Sequence, residues 1–340
     1  MSFKTLSEFC SFVSRLSYKR IKIEFQGGEP TLEFTSVELI VKTLLRIHTI
    51  DFSFVICTNL LDIDADFIKF IKKYNVCIST SIDGPQSIHD FHRPALRQAS
   101  SFISVTKNIE KLRDAGIYPA ALMTLTSYSI DHIIDIINQY VQLGFESIFI
   151  RPLNIFGRAA ENNKLYIPDQ TFLDAYKKAL DYLITLNSES ANIKDELTSI
   201  LLRKILTPFD DGFTDLQDPC AYGSMSLLVN YNGNVYPCDE ARMLAEMGND
   251  SWRIGNIFDK EILQEIHTFQ NVIEKCELSK IPMCKDCVFK YYCGADPIRL
   301  SLRNELDYCG IRKGVFKIIF DRIDSNDPRV INLFNRWARY

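Results

Sequence analysis

The sequence predicts an α/β fold followed by a small cysteine-rich C-terminal region, and three observations carry that expectation. Short apolar strands alternate with amphipathic helices through residues 1–150. Polar side chains collect where successive strands end. Seven of the ten cysteines fall between Cys220 and Cys309.

Leu6, Phe9, Cys10, Val13 and Leu16 recur at helical spacing, and the first strand is Ile21–Phe25. It runs into Gln26-Gly27-Gly28-Glu29-Pro30, which brings bare backbone and one carboxylate to the strand end. Glycines let a ligand approach the main chain and permit positive φ, and the proline fixes the exit into the next helix. Such an end suits a small ligand bearing an ammonium group; an ordinary strand-to-helix turn is the alternative. Val37, Ile40, Val41, Leu44 and Leu45 mark the next helix. The second strand, Phe52–Cys57, ends in Thr58-Asn59; Phe67, Ile68, Phe70 and Ile71 follow as a helix. The third strand, Val76–Ile82, contains Ser81 and ends in Asp83-Gly84-Pro85. A helix through Phe102, Val105, Ile109 and Leu112 closes at Gly116, where a left-handed cap favours glycine. Tyr118–Leu125 is the fourth strand, Ile130–Leu143 a helix closed by Gly144, and Ser147–Ile150 a fifth strand ending in Arg151-Pro152.

Strands alternating with helices imply parallel strands joined by right-handed crossovers. Their apolar character predicts a sheet covered on both faces. Ligands bind at the carboxyl edge of such sheets. Polarity at one such edge is ordinary loop chemistry, but its repetition at five argues for a site. Residues 169–206 read as two helices, and Met225–Tyr236 as a hairpin turning at Asn232-Gly233. Asp210-Asp211-Gly212 reads as a linker. The expected division is therefore 1–207 and 208–340.

The 340 residues carry a formal charge of −4. Neither sign dominates, which gives no electrostatic case for nucleic acid or a membrane surface. No apolar run approaches the roughly 20 residues needed to cross a bilayer. The N-terminus has no signal-peptide pattern, so the expected location is cytoplasmic. There a disulfide framework is disfavoured and metal ligation favoured. Cys10, Cys57 and Cys77 sit in apolar segments and read as small buried hydrophobes.

Cys284-x2-Cys287-x5-Cys293, followed by Cys309, has the spacing of a metal site. Four thiolates hold a tetrahedral zinc or an iron–sulfur cluster, and spacing alone leaves both open. Cys220, Cys238 and Cys276 are candidates for a second site, or are buried and free thiols.

The GGEP strand, Ser81-Ile82-Asp83-Gly84-Pro85 and the cysteine-rich tail together resemble the radical S-adenosylmethionine (radical SAM) enzymes. The tail is similar to their SPASM extension through Cys220, Gly233, Cys238, Cys284, Cys287 and Cys293. Ile23–Pro30, Tyr236–Gly248 and Tyr292–Pro297 resemble the maturases of the His-Xaa-Ser peptide system. The resemblance implies a partial (β/α)6 TIM-type barrel, [4Fe–4S] clusters and S-adenosylmethionine. It also implies a 5′-deoxyadenosyl radical that abstracts hydrogen from a peptide or small protein, and an electron donor such as a flavodoxin or ferredoxin. On it, Gly27, Gly28, Glu29 and Pro30 form the end that meets the methionyl amine. Ser81 and Arg93 stand for the ribose and carboxylate. Asp239 takes the position of a catalytic base in related sulfatase-maturing enzymes, with a plain turn aspartate as the alternative.

Two departures qualify these expectations. The C-x3-C-x2-C triad and the strand before it, which precede GGEP in the family, do not occur in these 340 residues. That predicts a barrel lacking its first strand and a truncated, mis-started or degenerate chain. Pro297 stands where the SPASM pattern has a further cysteine, which leaves the Cys220/Cys238 site short of a ligand that Cys276 would supply. Two other functions follow if these departures dominate: a non-catalytic peptide-binding remnant, or a zinc-binding α/β protein without radical chemistry.

Overall fold

A computed structural model describes residues 1–95, 99–154, 156, 159, 163–209, 212–273, 276–294, 296–298 and 305–339, with the backbone alone at 163, 215 and 305–308. The expected linker residues Asp210 and Asp211 and the motif residue Ala295 lie outside the described residues. The chain divides into two compact units, Met1–Phe149 and Ile150–Tyr340.

In the first unit, α1 (Phe3–Ser14) starts at Ser2, whose side chain accepts from Thr5 N at 3.1 Å. Four parallel strands follow in sheet order β1 (Arg20–Phe25), β2 (Asp51–Cys57), β3 (Cys77–Ser81) and β4 (Ala120–Leu122). Between them run α2 (Phe34–Leu44), α3 (Ala65–Tyr74), α4 (Gln86–His92) and α5 (Ser101–Asp114); α6 (Ile133–Gln142) precedes the two-residue β5 (Ser147–Ile148). The strands and crossover helices match the alternation read from the sequence. Gly116 and Gly144 end α5 and α6 with φ of +78° and +68°. Their successors close the last turns, Ile117 N to Leu112 O at 2.8 Å and Phe145 N to Tyr140 O at 3.0 Å.

The sheet departs from expectation in two respects: β5, the expected fifth strand, is not hydrogen-bonded into it, and its two faces differ. Phe54, Ile56, Ile78, Thr80 and Ala121, aligned by the register on one face, are buried under the helices. The other face carries Lys22, Glu24, Cys57, Cys77, Ser79, Ser81 and Ala120, none of them buried. The Cys57 thiol donates to Glu24 Oε1 at 3.3 Å on that face. Burial and the Glu24 charge push it up to about 12. Cys10 is buried as expected; Cys77 is exposed, contrary to expectation. Alternation of buried and open positions, hidden by the apolar look of the strands, leaves a polar face ending at the carboxyl edge. β1 is the sheet's edge strand, and its exposed Arg20, Lys22 and Glu24 are the charges that discourage pairing with another chain.

In the second unit, α7 (Asp169–Glu189) and α8 (Glu196–Leu206) are the two expected helices. They pack against α12 (Glu305–Asp324) and α13 (Pro328–Ala338). Residues assigned by sequence to the part before 208 thus share a core with the chain's last helices. Gly310 and Gly314 permit the close approach, since a Cβ at either would overlap Asp169 or Leu173 of α7. The hairpin is β6 (Leu228–Val229) with β7 (Asn234–Tyr236), and it gains a third antiparallel strand, β8 (Gly255–Asn256). Next come α9 (Asp239–Glu246), α10 (Ile262–Ile273) and the single turn α11 (Lys290–Cys293).

Gly84 has φ +127°, and a Cβ there would lie 2.6 Å from Ile136 Cγ1. Gly84→Ala is expected to destabilise the protein by about 1–3 kcal/mol. Urea denaturation beside the exposed-site control Ser87→Ala measures it; equal midpoints would show that the loop adapts freely.

Candidate functional site

The end of β1 is built as the sequence suggests. Gly27 and Gly28 take φ of +79° and +56°, which only glycine adopts without cost, and a Cβ on either would meet nothing within 4 Å. The backbone is therefore bare and approachable. Pro30 is buried and opens a 3-10 turn, Pro30–Glu33. Glu29 caps that turn: Oε1 accepts from Thr31 N at 3.1 Å and Thr31 Oγ1 at 2.8 Å. Its Oε2 accepts from Asn59 N at 2.7 Å, which ties the end of β1 to the end of β2. Each oxygen of a carboxylate has two lone pairs, so a fixed, half-buried Glu29 retains acceptor capacity for a ligand ammonium.

The end of β3 is organised by Asp83, 1% exposed. Oδ2 takes the Arg93 Nε at 2.6 Å, and Oδ1 takes Thr124 N at 3.1 Å from the segment after β4. His92 Nδ1 lies 3.8 Å from Asp83, and its Nε2 bonds Thr126 Oγ1 at 2.9 Å. His89 Nδ1 accepts from Asp83 N at 3.3 Å. Arg93, expected to meet a cofactor group, has its guanidinium committed first to Asp83, a pair that fixes Arg93 at the sheet edge. Ser81 is half-buried at the end of β3 on the polar face. Sequence reasoning missed His89, His92 and the stacked Phe91–Tyr128 pair, whose centroids are 3.9 Å apart. The signal was His89-x2-His92-Arg93, three residues beyond Asp83-Gly84-Pro85.

Burial pushes His89 down to about 4, the Asp83 charge opposing only in part, and burial pushes His92 down as well.

In the second unit the thiols of Cys284, Cys287 and Cys309 lie within electrostatic reach of Cys293. Burial pushes the Cys293 thiol up to about 11, with Arg312 opposing and the charges of Cys309, Cys284 and Cys287 adding to the rise. Burial, then Cys309 and Cys287, push Cys284 up too. The aromatic contacts explain the gathering. Phe289, between Cys287 and Cys293, stacks on Phe316 and Phe320 of α12 at 5.4 and 6.1 Å, and Tyr292 adds to both. That docks the turn-rich cysteine loop onto the helix that carries Cys309. Among the described residues no three His, Cys, Asp or Glu side chains are already drawn close enough to hold an ion. The thiols are gathered, not closed.

The other three cysteines do not join them. Cys220 is buried in a core with Tyr222, Tyr236, Leu244, Ile273 and Ile298, and Cys238 packs against it. Cys276 is half-buried, and its thiol faces the Val272 carbonyl at 3.6 Å. Asp239 opens α9, and its Oδ1 accepts both Arg242 Nε at 3.0 Å and a terminal Arg242 nitrogen at 2.8 Å. No helix among the described residues is long and apolar enough to cross a membrane.

Residues 15–140 match the radical SAM superfamily, and residues 220–288 match the SPASM iron–sulfur cluster-binding domain. The chain thus carries a radical SAM region and a SPASM-type tail, a combination that implies [4Fe–4S] clusters and S-adenosylmethionine. It is related to peptide-modifying enzymes. It is 25% identical over 92% of its length to the cysteine-type anaerobic sulfatase-maturating enzyme of Clostridium perfringens, covering 82% of that protein. It is 20% identical over 87% of its length to the serine-type enzyme of Bacteroides thetaiotaomicron, covering 73% of it. A structure of native anSMEcpe with bound AdoMet and the Cp18Cys peptide superposes with TM-score 0.77 at 23% identity, covering 99% of this chain and 92% of the other. Streptococcus suis SuiB bound to its precursor peptide SuiA superposes with TM-score 0.61 at 13% identity, over 89% and 67%. These likenesses establish a shared fold.

His89 binds a proton more readily unfolded, near 6.5, than folded, near 4. The unfolded state then holds more protons between those values, and stability falls as pH drops through that window. Denaturation midpoints at pH 7 and pH 5 are expected to differ less in His89→Asn, which keeps an acceptor for Asp83 N, than in the parent chain. An unchanged difference would assign the pH dependence elsewhere.

Proposed function

We propose that this protein acts on a peptide or small protein substrate as a radical SAM maturase. The gathering of Cys284, Cys287, Cys293 and Cys309 on one docked loop and helix supports this reading most strongly. Four cysteines held together by packing fit a cluster, because a bound metal centre takes thiolates. When bound, S-adenosylmethionine and a reduced iron–sulfur cluster supply abstraction of a hydrogen atom from a substrate C–H bond.

The chain's own residues contribute binding and orientation. Glu29, fixed by Thr31 and Asn59, accepts from an ammonium. The left-handed Gly27 and Gly28 let the ligand lie on the backbone, with Pro30 fixing the turn behind them. Asp83 holds Arg93 at the sheet edge, where its remaining guanidinium N–H groups and Ser81 address carboxylate and hydroxyl groups. Both Arg242 bonds fall on Oδ1 of Asp239, leaving Oδ2 to take a proton from substrate. The functional division remains 1–207 for cofactor and 208–340 for clusters. An electron donor such as a flavodoxin or ferredoxin completes the system, and the resemblance to His-Xaa-Ser maturases favours a ribosomally made peptide as substrate.

Equilibrium dialysis of the anaerobically reconstituted chain with labelled S-adenosylmethionine tests the reading. Saturable binding is expected, weakened about tenfold in Glu29→Ala, the loss of one charge-assisted contact. Release of 5′-deoxyadenosine under reducing conditions marks catalysis. Binding without release favours the non-catalytic peptide-binding reading. No binding overturns the proposal.

A further inference from the structure

We infer that the tail of this chain holds one iron–sulfur cluster, on Cys284, Cys287, Cys293 and Cys309, and that Cys220 and Cys238 are packing residues of an apolar core in place of a second. The inference rests on the proposed reading of the tail and narrows it.

Among the described residues the ligand set for a second centre does not assemble. Of the seven cysteines beyond residue 219, four are accounted for, and the three left over are Cys220, Cys238 and Cys276. Cys276 is not among the side chains packed on the Cys220 core. Two thiols fall short of the four ligands a [4Fe–4S] cluster takes. The two are occupied otherwise. Cys220 Sγ donates to the Thr214 carbonyl at 3.1 Å, and the side chain is 5% exposed. It shares its core with Phe156, Tyr222, Tyr236 and Ile298, and Cys238 lies against the same group. A free cysteine in such surroundings behaves as a small hydrophobe.

The charges nearby point the same way. Glu240 and Asp296 both bear on Cys238. Asp296 is 1% exposed, and its Oδ1 accepts from Ile298 N at 2.9 Å. A tetrathiolate cluster is itself an anion, and a buried carboxylate beside it raises the cost of placing it there. Asp296 counted as an oxygen ligand gives Cys2Asp, still one short. Pro297, adjacent in sequence, occupies the position where a thiol would have completed the set.

The test is metal content of the 340-residue chain after anaerobic reconstitution with iron and sulfide, read as iron and acid-labile sulfide per chain and by electron paramagnetic resonance of the reduced protein. The expected result is about four irons with one cluster signal, abolished in Cys287→Ser. In Cys220→Ala/Cys238→Ala the count and signal persist while the melting temperature falls. About eight irons in the parent chain, dropping to about four in that double variant or in Asp296→Asn, overturn the inference and leave the proposed function standing. No iron overturns both. The parent count decides the matter even if the double variant does not fold.

Discussion

Four thiols brought together on one docked loop and helix are the constraint on which the tail depends. Burial raises the cost of ionising a thiol here, and the neighbouring thiolates raise it further, pushing Cys293 up to about 11 against the opposing charge of Arg312. The packing that holds them close is not sulfur chemistry. It is the stacking of Phe289 and Tyr292 on Phe316 and Phe320, which clamps a loop of turns to α12. Arg312 and Lys313, on that helix, bring opposing charges to Cys293 and Cys284. Aromatic stacking therefore sets the geometry of the four thiols.

The first unit solves a different problem by a related means. A parallel sheet with one face buried and one polar needs its strand ends fixed if ligand groups are to be met at defined places. Two carboxylates do this. Glu29 joins the ends of β1 and β2, and Asp83 joins the ends of β3 and β4 through Thr124 while it holds Arg93. Both accept backbone N–H groups, so the loops are tied by main-chain bonds that a side-chain substitution elsewhere does not disturb.

Much of this was legible in the sequence because it is local. Helical and strand periods, the caps at Gly116 and Gly144, the Asn-Gly hairpin and the left-handed pair Gly27-Gly28 follow from near neighbours along the chain. The cysteine quartet was legible from spacing. What was not legible depends on which side chains meet across the fold. Apolar strand composition suggested two covered faces, and only the register separates Ile56 and Ile78 from Cys57 and Ser79. Arg93 read as free for a ligand because its partner Asp83 is ten residues away and reached only by the turn of α4. Cys220 and Cys238 read either as ligands or as buried thiols, because spacing says nothing of the tyrosines and isoleucines that surround them. The expected grouping of α7 and α8 with the first part missed their packing on α12 and α13, far apart in sequence.

X-ray absorption at the metal edge of the anaerobically loaded chain tests the central claim most directly. The account predicts an iron edge with sulfur as the nearest shell and a second shell of iron at the distance of a cubane cluster. Zinc bound by sulfur alone, with no iron present, would contradict it.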